Sequence, residues 1–290
     1  MRPIKVPTDL LSEPFNNKAL CMNGLSVVDS CYYDKTTTGS MYLEEHVIFY
    51  VLRGKAKLRY GKQTYTVGRD EFILLKRATL YPFIKEGATQ GCTSIFHGIL
   101  FCLKDELLAD FIRMAHIHPK ASVPYMPVAR KATGRLKAFT QSLIPYFEEE
   151  GNIDNGLLRL KIMELLYDVM HTDAGMWQQI MALGCPSRRD IAKVIEDNFL
   201  NPVSVPELAY LSGRSLSSFK REFQSLYHIP PTLWIRKRRL EYALRLLQTT
   251  KLSVTEVCYA SGFENPTHFT RLFKEEFGMP PSQVGHLGNS

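Results

Sequence analysis

The chain reads as an α+β protein of two domains. A small β-barrel with flanking helices comes first, and an all-helical domain follows in which a long helix joins two helix-turn-helix units. Three observations predict this. The hydrophobic period is 2 in the first part of the chain and 3.6 in the rest. Ser204-Val205-Pro206-Glu207-Leu208-Ala209-Tyr210-Leu211-Ser212-Gly213 returns as Ser253-Val254-Thr255-Glu256-Val257-Cys258-Tyr259-Ala260-Ser261-Gly262 with six of ten positions identical, so one supersecondary unit is present twice. A length of 290 residues lets each domain bury its own core.

The barrel is read from short β-branched and aromatic runs at 46–53, 55–60, 63–67 and 71–75, separated by Gly54, Gly61-Lys62 and Gly68-Arg69-Asp70. Strands this short and this close predict a meander closed into a barrel over about 20–105. Such a barrel can hold one small molecule between aromatic walls. Which of His46, Tyr50, Tyr60, Tyr65 and His97 would face it stays open, because a one-residue slip of register flips each of them.

Helical spacing follows at 107–116, 133–149 and 155–171. The third segment is apolar around most of its circumference, and two readings are open for its surplus. Leu157, Leu160, Met163 and Tyr167 are either intrachain core or a two-fold dimer seam. Residues 176–187, with Gly184 and Pro186, read as a linker zone in which 176–183 can form one short helix. That division makes 1–175 the first domain and 188–290 the second.

In the second domain each copy of the repeat opens with Ser-x-x-Glu, Ser204 to Glu207 and Ser253 to Glu256, the signature of a reciprocal helix cap. Two turns later Ser212-Gly213 and Ser261-Gly262 end the helix, since glycine supplies the left-handed backbone of a sharp stop. A second helix starts at Ser215 in one copy and at Asn265-Pro266 in the other. Leu216, Phe219, Phe223 and Leu226, then Phe269, Leu272, Phe273 and Phe277, fall at helical spacing. A single helical hairpin of this kind would be unremarkable packing. Two of them, each with hydroxyls and cations on the polar face of the second helix, point to phosphates and base edges. Between the copies, 232–248 reads as one helix with Leu233, Ile235, Leu240, Ala243, Leu244 and Leu247 inward and Arg236, Lys237, Arg238 and Arg239 near its start. Its 17 residues span roughly 26 Å. With the packing offset, the two second helices stand about one DNA turn apart, roughly 34 Å.

Taken together, Leu208-Ala209, Phe219-Lys220-Arg221-x-Phe223, Pro230-Pro231, Trp234-Ile235, Arg239-Leu240, Gly262-Phe263, His268-Phe269-x-Arg271-x-Phe273-Lys274 and Gly278-x-Pro280-Pro281 resemble the AraC/XylS transcription regulators over about 188–284. The resemblance implies a seven-helix DNA-binding domain that reads a promoter element, mostly in activators. Carried onto matching positions, it makes Leu216, Ser217, Lys220 and Arg221 the base readers of the first unit and Asn265, Thr267, Thr270 and Arg271 those of the second. Arg236, Lys237 and Arg238 are the candidate phosphate contacts. His228 departs from the family pattern, standing where a glycine usually ends the first reading helix.

Gly54 through Gly68 to Leu75 is similar to the cupin-like domain of the same family. Metal-dependent cupins need a His-x-His pair, a carboxylate and a later His, whereas His46 stands alone here and Tyr81-Pro82-Phe83 occupies the place of the last ligand. No metal or cofactor is expected, and an enzyme is the disfavoured class. His116-Ile117-His118 reads as surface, because residues two apart on a helix diverge. Cys21 and Cys31 lack the companion cysteines of the family's methyl-accepting repair proteins. A second resemblance, to the type III secretion activators, rests on Leu160-Lys161-Ile162-x-Glu164-Leu165-Leu166, Phe219-Lys220, Trp234-Ile235 and Arg238-Arg239. The first resemblance implies a small-molecule effector in the barrel, and the second implies an anti-activator protein. Double-stranded DNA, RNA polymerase and a second copy of the chain are the other implied partners.

Composition agrees. Residues 186–290 carry 14 Lys and Arg against 10 Asp and Glu, which is +4 of the chain's formal +7, a balance suited to a polyanion. Six cysteines without a Cys-x-x-Cys pair predict free thiols in a reducing compartment. The start Met1-Arg2-Pro3-Ile4-Lys5 has no apolar core of signal-peptide type, and no run approaches 18 apolar residues, so a cytoplasmic protein without membrane contact is expected.

Overall fold

A computed structural model describes residues 3–10, 17–90, 93–115, 125–149, 153–184 and 190–284. His116-Ile117-His118, Cys92 and Cys185 lie outside the described residues. The chain divides into two units at 185/186, and each is described by itself.

The strands of the N-terminal unit are β1 (Ile4–Val6), β2 (Lys18–Met22), β3 (Leu25–Tyr33), β4 (Thr37–Leu43), β5 (His46–Arg53), β6 (Lys55–Tyr60), β7 (Gln63–Val67), β8 (Glu71–Leu75), β9 (Thr79–Glu86), β10 (Ala88–Gln90), β11 (Thr93–Leu103) and β12 (Arg130–Lys131). They pair as two sheets, β1-β4-β9-β6-β7 and β12-β8-β5-β11-β3-β2, with β10 on β11. This corrects the expected meander closed into a barrel. Only β6 and β7 of the four runs read from the sequence pair as neighbours in the chain, while β5 lies between β8 and β11. Pairing is a long-range choice that strand spacing does not encode.

The period-2 pattern explains the layers. On β5, Val47, Phe49 and Val51 enter the core between the sheets with Ile73 and Leu75 of β8, Leu100 of β11, and Tyr81 and Phe83 of β9. The alternate residues Ile48 and Tyr50, with Phe72, Leu74, Ile99 and Phe101, enter a second core under a layer of helices. Of the residues whose direction was open, Tyr50 turns to the helical side and donates to Asp70 Oδ1 at 3.2 Å, and Tyr60 and Tyr65 pack on the inter-sheet core. His46 is buried and accepts the Arg77 N–H through Nδ1 at 3.2 Å. His97 Nε2 lies 2.9 Å from Ser30 Oγ. A carboxylate is also sealed into this unit: Asp29 on β3 is 0% exposed, with Ser26 Oγ at 2.7 Å and the Cys102 thiol at 3.9 Å. Burial is the larger influence and pushes its carboxyl up to about 7 against the Ser26 and Cys102 hydrogen bonds and the nearby Lys104.

The helical layer comprises α1 (Asp105–Met114), α2 (Gly134–Ser142), α3 (Ile144–Glu148), α4 (Asn155–Thr172) and α5 (Ala174–Gly184). The single helix expected over 133–149 is broken at Leu143, because Pro145 has no N–H and its ring would crowd the carbonyl four residues back. The expected linker is corrected through Gly184, since α5 buries Met176, Trp177, Ile180 and Met181 in the same core and Trp177 meets Phe111 edge-on at 5.2 Å. On α4, Met163 is buried and Tyr167 packs against Phe111 at 4.8 Å, so two of the four seam candidates serve the intrachain core. Leu157 and Leu160 remain exposed.

The C-terminal unit holds α6 (Ile191–Asn198), α7 (Val205–Leu211), α8 (Leu216–Tyr227), α9 (Pro231–Thr249), α10 (Val254–Ala260), α11 (Pro266–Phe277) and a 3₁₀ turn at Pro281–Gln283. Both expected cap boxes form. The Ser204 N–H donates to Glu207 Oε2 at 2.6 Å and the Ser253 N–H to Glu256 Oε2 at 2.8 Å, while the two serine hydroxyls accept from the third amide at 3.4 and 3.2 Å. Gly213 (φ 68°) and Gly262 (φ 84°) stop α7 and α10 in the left-handed region. Beneath each turn a fully buried serine, Ser212 or Ser261, donates back to a helix carbonyl at 2.8 or 2.6 Å. Arg239 of α9 donates to the carbonyls of Phe199 and Asn201 just past the end of α6, where helix carbonyls carry partial negative charge.

Gly262 has a steric reason as well, since a Cβ there would stand 2.6 Å from the Leu200 carbonyl oxygen. His228 closes α8 at φ 58°, the conformation that Gly278 supplies for α11 at φ 76°. In a Trp177→Phe background, where Trp234 reports on the C-terminal unit, Gly262→Ala is expected to lower stability by about 1–3 kcal/mol. His228→Gly is expected to raise it by about 1 kcal/mol, each read as a shift in urea midpoint at unchanged slope. Because the Asp29 carboxyl is raised in the folded state, its protonated form is favoured there, and stability is lost as pH rises from about 4 towards 7. Asp29→Asn should therefore gain on the parent as pH rises through that window, with Trp177 fluorescence in urea at each pH as the measurement.

Candidate nucleic-acid interface

The candidate reading surface is made by α8 and α11, which start alike. Ser215 caps α8 by accepting from the Ser218 N–H at 3.3 Å, and Asn265 caps α11 by accepting from the His268 N–H at 3.0 Å. Each then divides along its length. Phe219 and Phe223 of α8, and Phe269, Leu272 and Phe273 of α11, are buried, leaving the opposite face in water. On α8 that face carries Leu216, Ser217, Lys220 and Arg221, all exposed. On α11 it carries Asn265, Thr267 and Arg271, with Thr270 half-buried at its margin. Leu226 and Leu233, expected inward, are 60% and 43% exposed. Tyr227 packs there instead, tilted on Phe223 at 4.6 Å and against Trp234 at 5.1 Å.

Charges fix the start of α8. Arg214 donates to Glu222 Oε2 at 2.9 Å and Ser218 to Glu222 Oε1 at 3.1 Å, which ties the turn to the helix it introduces. On α11, Arg271 donates to Glu275 at 2.7 Å and lies 3.3 Å from His268 Nδ1. Both contacts are exposed, where an ion pair holds a side chain weakly and a phosphate or base edge can compete. The three phosphate candidates separate: Arg236 and Lys237 are exposed, whereas Arg238 bridges Glu241 at 3.0 Å and Glu196 at 3.2 Å and lies over the Phe199 and Trp234 rings. The carboxylates hold the Arg238 guanidinium charged, and the side chain clamps α6 to α9. Thr232 is not among the sequence-derived site residues, and His268 is placed by sequence only on the polar face of its helix. Both line a pocket at the start of α11 with Asn265 and Arg236, and only the assembled helices bring these residues together.

Among the described residues no group of three or more His, Cys, Asp or Glu could hold a metal ion, and no helix is long and apolar enough to cross a membrane.

Comparison with known proteins agrees with this geometry. Residues 208–286 match the helix-turn-helix domain family, and residues 46–178 match the ExsA N-terminal regulatory domain family. The chain is 25% identical over 244 residues to the virulence regulon transcriptional activator VirF of Yersinia enterocolitica, covering 82% of this chain and 88% of that protein. It is 25% identical, with the same coverage, to the thermoregulatory protein LcrF of Yersinia pestis. The regulator ExsA of Pseudomonas aeruginosa is 32% identical over 89 residues, 31% of this chain and 32% of that one. Among solved structures, ToxT of Vibrio cholerae aligns over 89% of this chain and 97% of its own with a TM-score of 0.41 and 16% identity. Fold and matches define a DNA-binding transcription regulator of the helix-turn-helix class. Within that class, the chain belongs to the AraC/XylS family and is similar to VirF, LcrF and ExsA.

Phe223→Ala or Phe273→Ala removes a ring that is 0% exposed and is expected to cost about 3–5 kcal/mol in its unit. Denaturation followed at Trp234 checks this, and full retention of the midpoint would take these rings out of the core.

Proposed function

We propose that the protein is a sequence-specific transcription activator that reads two successive major-groove segments on one face of a duplex, the first with α8 and the second with α11. The observation that carries this reading is the pair of matched reading faces, one copy beside Lys220 and Arg221 and the other beside Arg271, each backed by a buried phenylalanine stripe. The 19-residue α9 that joins them measures about 28 Å, which with the packing offset suits the separation of neighbouring major-groove segments. Lys220, Arg221 and Arg271 are assigned to base edges, with Leu216, Ser217, Thr267 and Thr270 beside them. Asn265 spends its side-chain oxygen on the helix cap and keeps only its amide N–H groups for DNA.

Control is assigned to the N-terminal unit through a protein partner rather than a small molecule between the sheets. Phe49, Tyr81, Phe83 and Phe96 fill that space at 4% exposure or less, and the match of 46–178 to a regulatory domain supports control through this unit. Activation follows the role named for VirF, a transcriptional activator, and a second copy at the exposed Leu157 and Leu160 and contact with RNA polymerase are proposed beside it.

Footprinting of the full chain on genomic fragments tests the reading, and two protected major-groove segments about one turn apart are expected. Lys220→Ala and Arg271→Ala should each cost about 1–3 kcal/mol of discrimination at one segment, measured as the ratio of affinities for the protected duplex and its mutated form. Equal losses on every duplex would reassign both residues to the phosphate backbone.

A further inference from the structure

The start of α9, the cap of α11 and the turn before α7 enclose a pocket of about 600 Å³ whose polar lining includes Ser204, Thr232, Arg236, Arg239, Asn265 and His268. Some of these groups are committed elsewhere. Arg239 donates to the carbonyls of Phe199 and Asn201, and the Asn265 side-chain oxygen holds the His268 N–H. Glu264, a carboxylate in the same wall, is itself engaged. Donors remain. Arg236 is exposed, with a planar fork suited to two oxygens of one phosphate. His268 has its Nδ1 3.3 Å from the Arg271 Nη2, and since a guanidinium cannot accept, Nδ1 must accept and the ring's donor is its Nε2–H. The Thr232 hydroxyl supplies a further donor.

The pocket lies at the foot of the helix that joins the two reading helices. A duplex followed through two successive major-groove segments presents the intervening sugar-phosphate strands to whatever connects the readers. We propose that this pocket seats a phosphodiester of the strand between the two segments, with Arg236 clasping its non-bridging oxygens and His268 Nε2–H and the Thr232 hydroxyl as further donors. The volume accommodates a phosphate with its flanking sugars, since pockets for small organic groups begin at about 300 Å³. Lys237, the next residue along, is not part of the lining, and Arg238 is spent on Glu196 and Glu241. The assignment rests on the two-segment reading proposed above, and it narrows three candidate phosphate contacts to one.

The test is affinity of the full chain against salt, on the footprinted duplex and on an unrelated duplex of equal length. Arg236→Ala should flatten the slope of log K against log salt by about 0.9 on both, leaving their affinity ratio unchanged, while Lys237→Ala should move the slope less. Phosphate ethylation gives the position. Ethylating one phosphate between the two protected segments should weaken the parent and add nothing to the loss in Arg236→Ala. An unchanged slope in Arg236→Ala, or ethylation interference at that phosphate which persists in the variant, overturns the proposal while a normal footprint leaves the two-segment reading standing. A missing footprint sinks the reading itself. A free anion is the other source of the same chemistry. If inorganic phosphate at constant ionic strength, without DNA, raises the melting temperature of the parent and not of Arg236→Ala, the pocket belongs to a free anion and the DNA assignment falls.

Discussion

The candidate reading surface depends on how two helices of seven residues are made to start and stop. Helices that short do not hold themselves together, because the ordering of the first turn is repaid by too few hydrogen bonds. In both copies a serine and a glutamate satisfy each other's backbone groups at the front, and a left-handed glycine closes the back over a buried serine hydroxyl. With both ends defined, the turn has one direction, and α8 and α11 leave it with a phenylalanine stripe inward and a polar face outward. Remove the caps and the polar face has no fixed orientation to offer a groove.

The N-terminal unit solves a different problem. Its central strands β5, β8 and β11 are apolar on both sides, so no face of that sheet can be left to water. The second sheet covers one side and the helical layer the other. Asp29 is the exception inside this arrangement, a carboxyl held by a hydroxyl and a thiol. Nothing in the structure turns that exception into a site.

Local chemistry was legible from residues alone, and distant chemistry was not. Ser204, Ser215, Ser253 and Asn265 were identifiable as caps because a cap concerns three or four neighbouring positions, and the strands at 55–60, 63–67 and 71–75 kept their bounds for the same reason. Sheet order was hidden, since β5 finds its partners 20 to 57 positions away. Arg238, a candidate phosphate contact by sequence, stands beside Glu196 of another helix, a neighbour that spacing along the chain does not disclose. Met163 and Tyr167 looked available on a helix with too much apolar surface, and Phe111 and the rest of the helical layer account for both. At the candidate interface, helical periodicity sufficed to separate Lys220 and Arg271 from Phe219 and Phe269. It could not have found the pocket lined by Thr232, Arg236 and His268, which exists only once three helices converge.

Trp177 on α5 bears on how this chain can be divided. Its ring meets Phe111 of α1, and Met176, Ile180 and Met181 join it in the core beneath the sheet. A fragment ending at 175, where the sequence suggests a seam, would shear a hydrophobic plug out of the regulatory half and leave greasy surface that invites aggregation. The natural scissor line falls a full helix later, so any hybrid that swaps N-terminal halves between related regulators must carry α5 along with the strands it protects.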